Sequence, residues 1–323
     1  MTLHPAPFFP EVADGPEGGA AHWLTCADGV RIRIAHWRAE QEKGTILMFP
    51  GRTEYAEKYG RAATAYGKRG YAMVAIDWRG QGLADRLIPD RDAGYVEKFS
   101  DYQVDIAAVL EAAEALDLPK PYFMIAHSMG GCIGLRAAMS GLPINAAMFS
   151  APMWGIQLSA LMRPTAWAVS WASKQVGSSA KLTPGTKAKT YVLAEPFEGN
   201  TLTHDPDMYR YMQVQMEQVP EMALGGPSMH WLHEALVETR DLAARAAPEL
   251  PAITFLGTDE KIVDPARIHQ RMETWPNGEL VMVEGAEHEV MMELPEIRDA
   301  IYDQSAAFFD QHLSNGTTHR ESA

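Results

Sequence analysis

Cysteine is scarce: Cys26 and Cys132 are the only two in 323 residues, too few for a disulfide framework and without metal-ligand spacing. Both read as free thiols in a reducing cytoplasm. Cations are in deficit as well, with 28 Lys and Arg against 42 Asp and Glu and a net charge of −14. Phosphate-backbone binding needs clustered Lys and Arg, so nucleic acid is excluded as a partner. The same deficit opposes electrostatic attachment to an anionic membrane but leaves apolar contact with lipid open. The acidic surplus reads as solubility. No apolar run reaches the length of a membrane span, and the nearest approach, LSALMRPTAWAVSWA (158–172), is broken by Arg163 and Pro164. The opening MTLHPAPFFPEVADGPEGG lacks a charged segment ahead of an apolar one, so no secretory signal is expected. The expectation is a cytoplasmic protein with at most transient contact at the inner face of the membrane.

What the chain does have is alternation. GTILMFPG (44–51), YAMVAIDW (71–78), PYFMIAHS (121–128), INAAMFSAP (144–152), PAITFLGT (251–258) and GELVMVEGA (278–286) are apolar runs bounded by Gly, Pro or charge. They read as strands covered on both faces. Amphipathic stretches such as DYQVDIAAVLEAAEAL (101–116) and PARIHQRMETW (265–275) lie between them. The pattern predicts an α/β fold with a mostly parallel central sheet and helices on both faces. Upstream, GVRIRIAHW (29–37) alternates apolar and polar, which predicts an antiparallel hairpin at a sheet edge. Between Pro152 and Pro248 the alternation stops. Half of the Trp residues fall there, and Tyr209, Met212, Met216 and Val219 recur at helical spacing. We therefore expect a core at 20–151 and 248–313, a helical cap insertion at 152–247 and a flexible tail at 314–323.

The run PYFMIA ends in Ala126-His127-Ser128-Met129-Gly130-Gly131, just before a helical stretch. A Ser on a sharp strand-to-helix turn has its hydroxyl presented at the sheet edge, and only small neighbours fit so tight a bend. The usual pattern is G-x-S-x-G; Ala126 replaces the first Gly and is small enough to serve. A hydroxyl needs a base to take its proton and an acid to orient that base. In this architecture they follow in the order Ser, acid, His, each after a strand. GTDEKIVDP (257–265) offers Asp259, Glu260 and Asp264, and GAEHE (285–289) offers His288. Three strand ends supply three residue types in the required order, the pattern of a catalytic triad.

The stretches FPGRTEYAEKY, DWRGQGLADR, AHSMGG, GTDEKIVDP and GAEHE resemble successive signatures of the α/β-hydrolase superfamily. The likeness is to the branch of lysophospholipases, monoacylglycerol lipases and serine aminopeptidase-type hydrolases, over about residues 25–312, and GGPSMHWLHEA (225–235) resembles the end of that branch's cap. The resemblance implies a serine carboxylic-ester hydrolase with no cofactor and no metal, acting on lysophospholipid or monoacylglycerol esters. It places the acid at Glu260, with Asp259 as the alternative, while Asp264 reads as the cap of the following helix. It places the oxyanion donors at the N–H groups of Met129 and of Arg52, where Pro50-Gly51 replaces the family's common His-Gly. The Arg52 side chain could set a cation at the pocket mouth near a phosphate or carboxylate; a surface ion pair with Glu54 or Glu57 is the expectation preferred here.

Since His288 must be neutral to act as base, activity is expected to rise through about pH 6 to 7. His127 reads as packing for the turn. DWRGQG is taken as structural. GRAATAYGKR departs from P-loop spacing, and HEVMM ends in Met292 where a zinc motif needs His. Trp154, Met212 and Trp231 are expected to line a substrate pocket, since flexible Met and broad Trp suit acyl chains. Three other readings stay open: a general short-chain esterase, an amide or peptide hydrolase using the same triad, and a binding module that has lost the chemistry.

Overall fold

The computed structural model describes residues 3–159 and 161–314. The tail expected at 314–323 therefore lies, apart from Ser314, outside the described residues. Nine strands form one sheet: β1 (His4–Pro5), β2 (Ala20–Thr25), β3 (Arg31–Trp37), β4 (Gly44–Phe49), β5 (Tyr71–Asp77), β6 (Tyr122–His127), β7 (Ala147–Ser150), β8 (Ala252–Gly257) and β9 (Gly278–Val283). They lie in the order β1-β2-β3-β5-β4-β6-β7-β8-β9. The pairs from β1 to β5 through β3 are antiparallel, and every pair from β5 to β9 is parallel. The helices are α1 (Pro10–Ala13), α2 (Gly60–Gly67), α3 (Tyr102–Ala115), α4 (Met129–Met139), α5 (Met162–Gln175), α6 (Tyr191–Ala194), α7 (Pro206–Gln218), α8 (Met229–Ala243), α9 (Pro265–Glu273) and α10 (Pro295–Asp310).

Strands β4, β5, β6, β7 and β8 are buried at every position, as their unbroken apolar runs require. Two apolar clusters explain this. One joins alternate side chains of the sheet to α3, α4 and α9; the other joins the opposite face to α2 and α10. Two strands depart from expectation. The run at 278–286, expected to be covered on both faces, is the outer strand β9, and Met282 is exposed there. An apolar run does not reveal that no further strand follows it. The hairpin β2–β3 is antiparallel as expected, but β3 lies inside the sheet between β2 and β5, not at its edge. One of its two charges, Arg33, is buried: its guanidinium donates to Asp77 at 2.8 Å and to Glu57 at 2.8 Å, and all three side chains are inaccessible, whereas Arg31 is exposed.

Between β7 and β8 the described chain holds α5, α6, α7 and α8 and no named strand. Helix α7 starts on Asp205, whose carboxylate accepts from the N–H groups of Asp207 and Met208, with Pro206 in the first turn. Its inner side carries Met208, Tyr209, Met212 and Met216, which pack with Tyr55 and Met292 in a third apolar cluster. Helix α8 begins on Ser228, which accepts from Trp231 N–H, and packs on α5 and α4. This segment thus stands over the C-terminal ends of the parallel strands.

Candidate active site

Ser128 sits between β6 and α4 with φ +50° and ψ −117°, a backbone conformation that a side-chain-bearing residue adopts only under constraint. The constraint is visible. Its N–H donates to Ser150 O at 3.0 Å, and its carbonyl accepts from Gly131 and Met153 at 2.9 and 2.8 Å. A Cβ at position 130 would lie 2.0 Å from the Phe49 carbonyl oxygen, so only glycine lets α4 start this close to β4. The hydroxyl Oγ is 2.9 Å from His288 Nε2. His288 Nδ1 is in turn 2.7 Å from Glu260 Oε2.

Glu260 follows β8. Its other oxygen, Oε1, accepts the N–H groups of Ile262 at 2.6 Å and Val263 at 3.0 Å, which fixes the carboxylate plane toward His288. Burial pushes the Glu260 carboxyl up, but the bond and charge of His288 and the two backbone donors outweigh it and hold Glu260 below the usual carboxylate range. Asp259 is exposed and makes no contact with His288; its N–H donates to Ala286 O at 3.0 Å. Asp264 caps α9, accepting from Ala266 N–H at 3.2 Å. The loop carrying His288 is itself tied down: Glu293 accepts from Glu287 N–H at 2.8 Å, and Glu289 N–H donates to Leu202 O at 2.8 Å.

The N–H groups of Arg52 and Met129 donate to no other group among the described residues. The loop that carries Arg52 is held from below by residues that sequence reasoning left as structural. Trp78 donates to Pro50 O at 2.9 Å, and Gln81 Nε2 donates to Gly51 O at 2.8 Å and Glu54 O at 3.2 Å. Both belong to DWRGQG, so that turn supports the loop beside Ser128. The expected ion pair of the Arg52 side chain with Glu54 or Glu57 is absent. Glu57 is taken by Arg33, and Glu54 by Lys58, Tyr59 and the Gly51 N–H. Arg52 Nη1 instead donates to Gly225 O at 2.7 Å, and its guanidinium lies 5.7 Å from the Trp231 ring centre.

A second constellation escaped the sequence. His127 Nε2 lies 3.4 Å from Glu289 Oε2 and 3.6 Å from Glu54 Oε1, too poorly aligned for hydrogen bonds, while Lys58 Nζ is 2.5 Å from Glu289 Oε1 and also reaches Glu54. Burial pushes His127 down, yet the Glu289 and Glu54 charges prevail and hold it above its ordinary value. Burial pushes Glu289 up, and the His127 and Lys58 charges outweigh it and hold it well below the carboxylate range. Glu54, His127 and Glu289 offer ligand atoms within 4.8 Å of one another. The Lys58 ammonium already bridges the two carboxylates and supplies the cation such a cluster needs, so we assign no metal there.

Above Ser128 is a cavity of about 400 Å³. Its wall includes Arg52, Met129, Met153, Ile156, Val192, Leu202, Met212, Met216, Trp231, Ile262 and His288. Met212 and Trp231 are thus brought to the cavity. Trp154 is not: it packs into the core, edge-on to Phe149 and stacked on Trp275 with ring centres 5.1 and 5.9 Å away, and donates to Gly131 O at 3.1 Å.

Comparison with known proteins places this geometry in context. Residues 40–295 match the family described as Serine aminopeptidase, S33. The chain is 28% identical over 301 residues to Lysophospholipase L2 of Escherichia coli (strain K12), covering 90% of this chain and 87% of that protein. It is 29% identical over 274 residues to the Probable lysophospholipase L2 of Haemophilus influenzae, covering 83% and 85%. Among solved structures, a soluble variant of monoglyceride lipase from Saccharomyces cerevisiae in complex with a substrate analog superposes with TM-score 0.70 at 21% identity, covering 90% of this chain and 94% of that one.

Proposed function

Because the chain belongs to the serine aminopeptidase family S33, within the α/β-hydrolase fold, we propose that it is a serine carboxylic-ester hydrolase acting on lysophospholipid or monoacylglycerol esters through an acyl-enzyme. The observation that carries this reading is the continuous chain of contacts from Ser128 Oγ through His288 to Glu260, at 2.9 and 2.7 Å. His288 Nε2 takes the hydroxyl proton as Oγ attacks the ester carbonyl. Glu260 keeps the other ring nitrogen protonated and stabilises the imidazolium. The N–H groups of Arg52 and Met129 receive the oxyanion. His288 then returns the proton to the departing alcohol, and water repeats the sequence to release the fatty acid. We read 152–247 as the cap over a core of 20–151 and 248–313, its Met212 and Met216 meeting the acyl chain and its Trp231 completing the cavity wall.

The amide-hydrolase reading is weaker. Holding a substrate ammonium would take a free carboxylate at the cavity, and the two on its wall outside the triad, Glu54 and Glu289, are both paired with Lys58. The relatives' names, lysophospholipase and monoglyceride lipase, favour esters. No helix of the described residues is long and apolar enough to cross a membrane. Exposed Leu161, Met162, Val169 and Val176 on and beside α5 support transient lipid contact through the cap. The test is covalent labelling by a fluorophosphonate with ester turnover measured in parallel. Both should vanish in Ser128→Ala, and turnover that survives in that variant would end this reading.

A further inference from the structure

We propose that the Arg52 side chain binds the phosphate of a glycerophosphate head group, so that the site prefers lysophospholipids over neutral monoacylglycerols; this rests on the ester-hydrolase reading above. Two cations line the cavity, Arg52 and Lys58. Lys58 is closed off by Glu54 and Glu289. Arg52 has no carboxylate within ion-pair distance among the described residues. Of its five N–H groups, the chain engages only those on Nη1, through Gly225 O. A guanidinium is costly to desolvate without an anion, and burial pushes the Arg52 pKa down to about 10, still a cation at neutral pH. An anionic ligand is what would offset that cost.

Position and shape agree with this. Arg52 follows Gly51, where a Cβ would lie 3.1 Å from Ser128 Cβ, so the loop passes beside Ser128, and both Arg52 and Ser128 line the cavity. Its guanidinium packs toward Gly225, just before α8, and Trp231 in its first turn, whereas the long apolar wall is built by Val192 of α6, Leu202 of the connection that follows, and Met212 and Met216 of α7. The cavity therefore has a cationic end and an apolar end, with Ser128 on its floor. An acyl glycerophosphate has the same layout: an apolar chain on one side of the ester and a phosphate a few bonds away on the other. The overall charge of −14 repels anions, so an unpaired, half-buried Arg at the cavity is a local device for admitting one. Its planar fork suits phosphate oxygens better than an ammonium would.

The experiment compares kcat/KM for oleoyl lysophosphatidylethanolamine and monooleoylglycerol in the same mixed micelles, for wild type, Arg52→Met and Arg52→Lys. The ratio of the two cancels any general effect of the substitution on the backbone donor at that position. We expect the wild-type ratio to favour the phospholipid and to fall by about tenfold or more in Arg52→Met, with partial recovery in Arg52→Lys. Glycerol phosphate should inhibit wild-type hydrolysis of nitrophenyl butyrate and do so about tenfold more weakly in Arg52→Met. A ratio unchanged by the substitution overturns the Arg52 assignment while leaving the ester-hydrolase reading intact. Weakened inhibition by oleate but not by glycerol phosphate would assign Arg52 to the product carboxylate and also overturn it. A wild type that hydrolyses neither lipid nor the nitrophenyl ester overturns the functional reading, and the proposal with it.

Discussion

The imidazoles of His127 and His288 lie against each other, ring centres 4.8 Å apart and inclined by 55°. One must be neutral to accept a proton from Ser128; the other is held above its ordinary value by two carboxylates. A lone cation in that place would oppose formation of the His288 imidazolium. Here the Glu54 and Glu289 carboxylates and the Lys58 ammonium surround His127, so a proton on its ring is met by opposite charge.

His127 therefore makes stability depend on pH. Its folded value is raised, so the native state binds a proton that the unfolded chain releases near its ordinary value of about 6.5. The contribution is fully present below that pH and is lost as pH rises through the folded value. Urea midpoints for wild type and His127→Gln should differ most at about pH 6, below the unfolded value, and converge as pH rises through the raised folded value. A difference that stays constant across that range would show that the ring is neutral and acts only by packing.

Glu260 and Asp259 are adjacent in sequence but opposite in surroundings: one buried on His288, the other exposed. Glu260→Gln should lower kcat by about three to four orders of magnitude, because the amide favours the wrong imidazole tautomer. Asp259→Asn should stay within about threefold of wild type, since it touches no part of the relay. Steady-state kinetics on one soluble ester decide it, and the reverse ranking would move the acid to Asp259.

Gln81 is a positioning residue, holding the carbonyl of Gly51 and so the direction of the Arg52 N–H. Gln81→Leu should lower kcat by about tenfold or more with KM nearly unchanged, since an oxyanion donor works in the transition state and not in the ground state. A purely structural role would lower the melting temperature and spare kcat per folded molecule; active-site titration separates the two.

The parts legible in the sequence were those governed by local pattern. Apolar runs located the strands, and small residues around Ser128 marked the turn, because a bend that brings α4 against β4 excludes side chains. Glu260 and His288 could be singled out as candidates because each follows a strand, and the structure brings both to Ser128. Pairings across long separations were not legible. Nothing local joins Glu54 and Lys58 to Glu289, and Arg52 misled because the acids near it in sequence are drawn elsewhere, Glu57 to Arg33 and Glu54 to Lys58. Trp154 misled for a similar reason: its aromatic partner, Trp275, is distant in sequence.

The tight seat of Gly130 against Phe49 has a further consequence. It makes the nucleophile's address a property of two neighbouring strands, and Glu260 and His288 hang from two more. The helices of the long excursion between β7 and β8 supply walls and none of the three side chains proposed to react. On the reading proposed above, chemistry and head-group choice share the loop of Arg52, while the fit of the acyl chain is inherited through a different stretch of the chain. Such a protein can drift toward new lipids by rewriting one stretch, without having to rediscover how to break the bond.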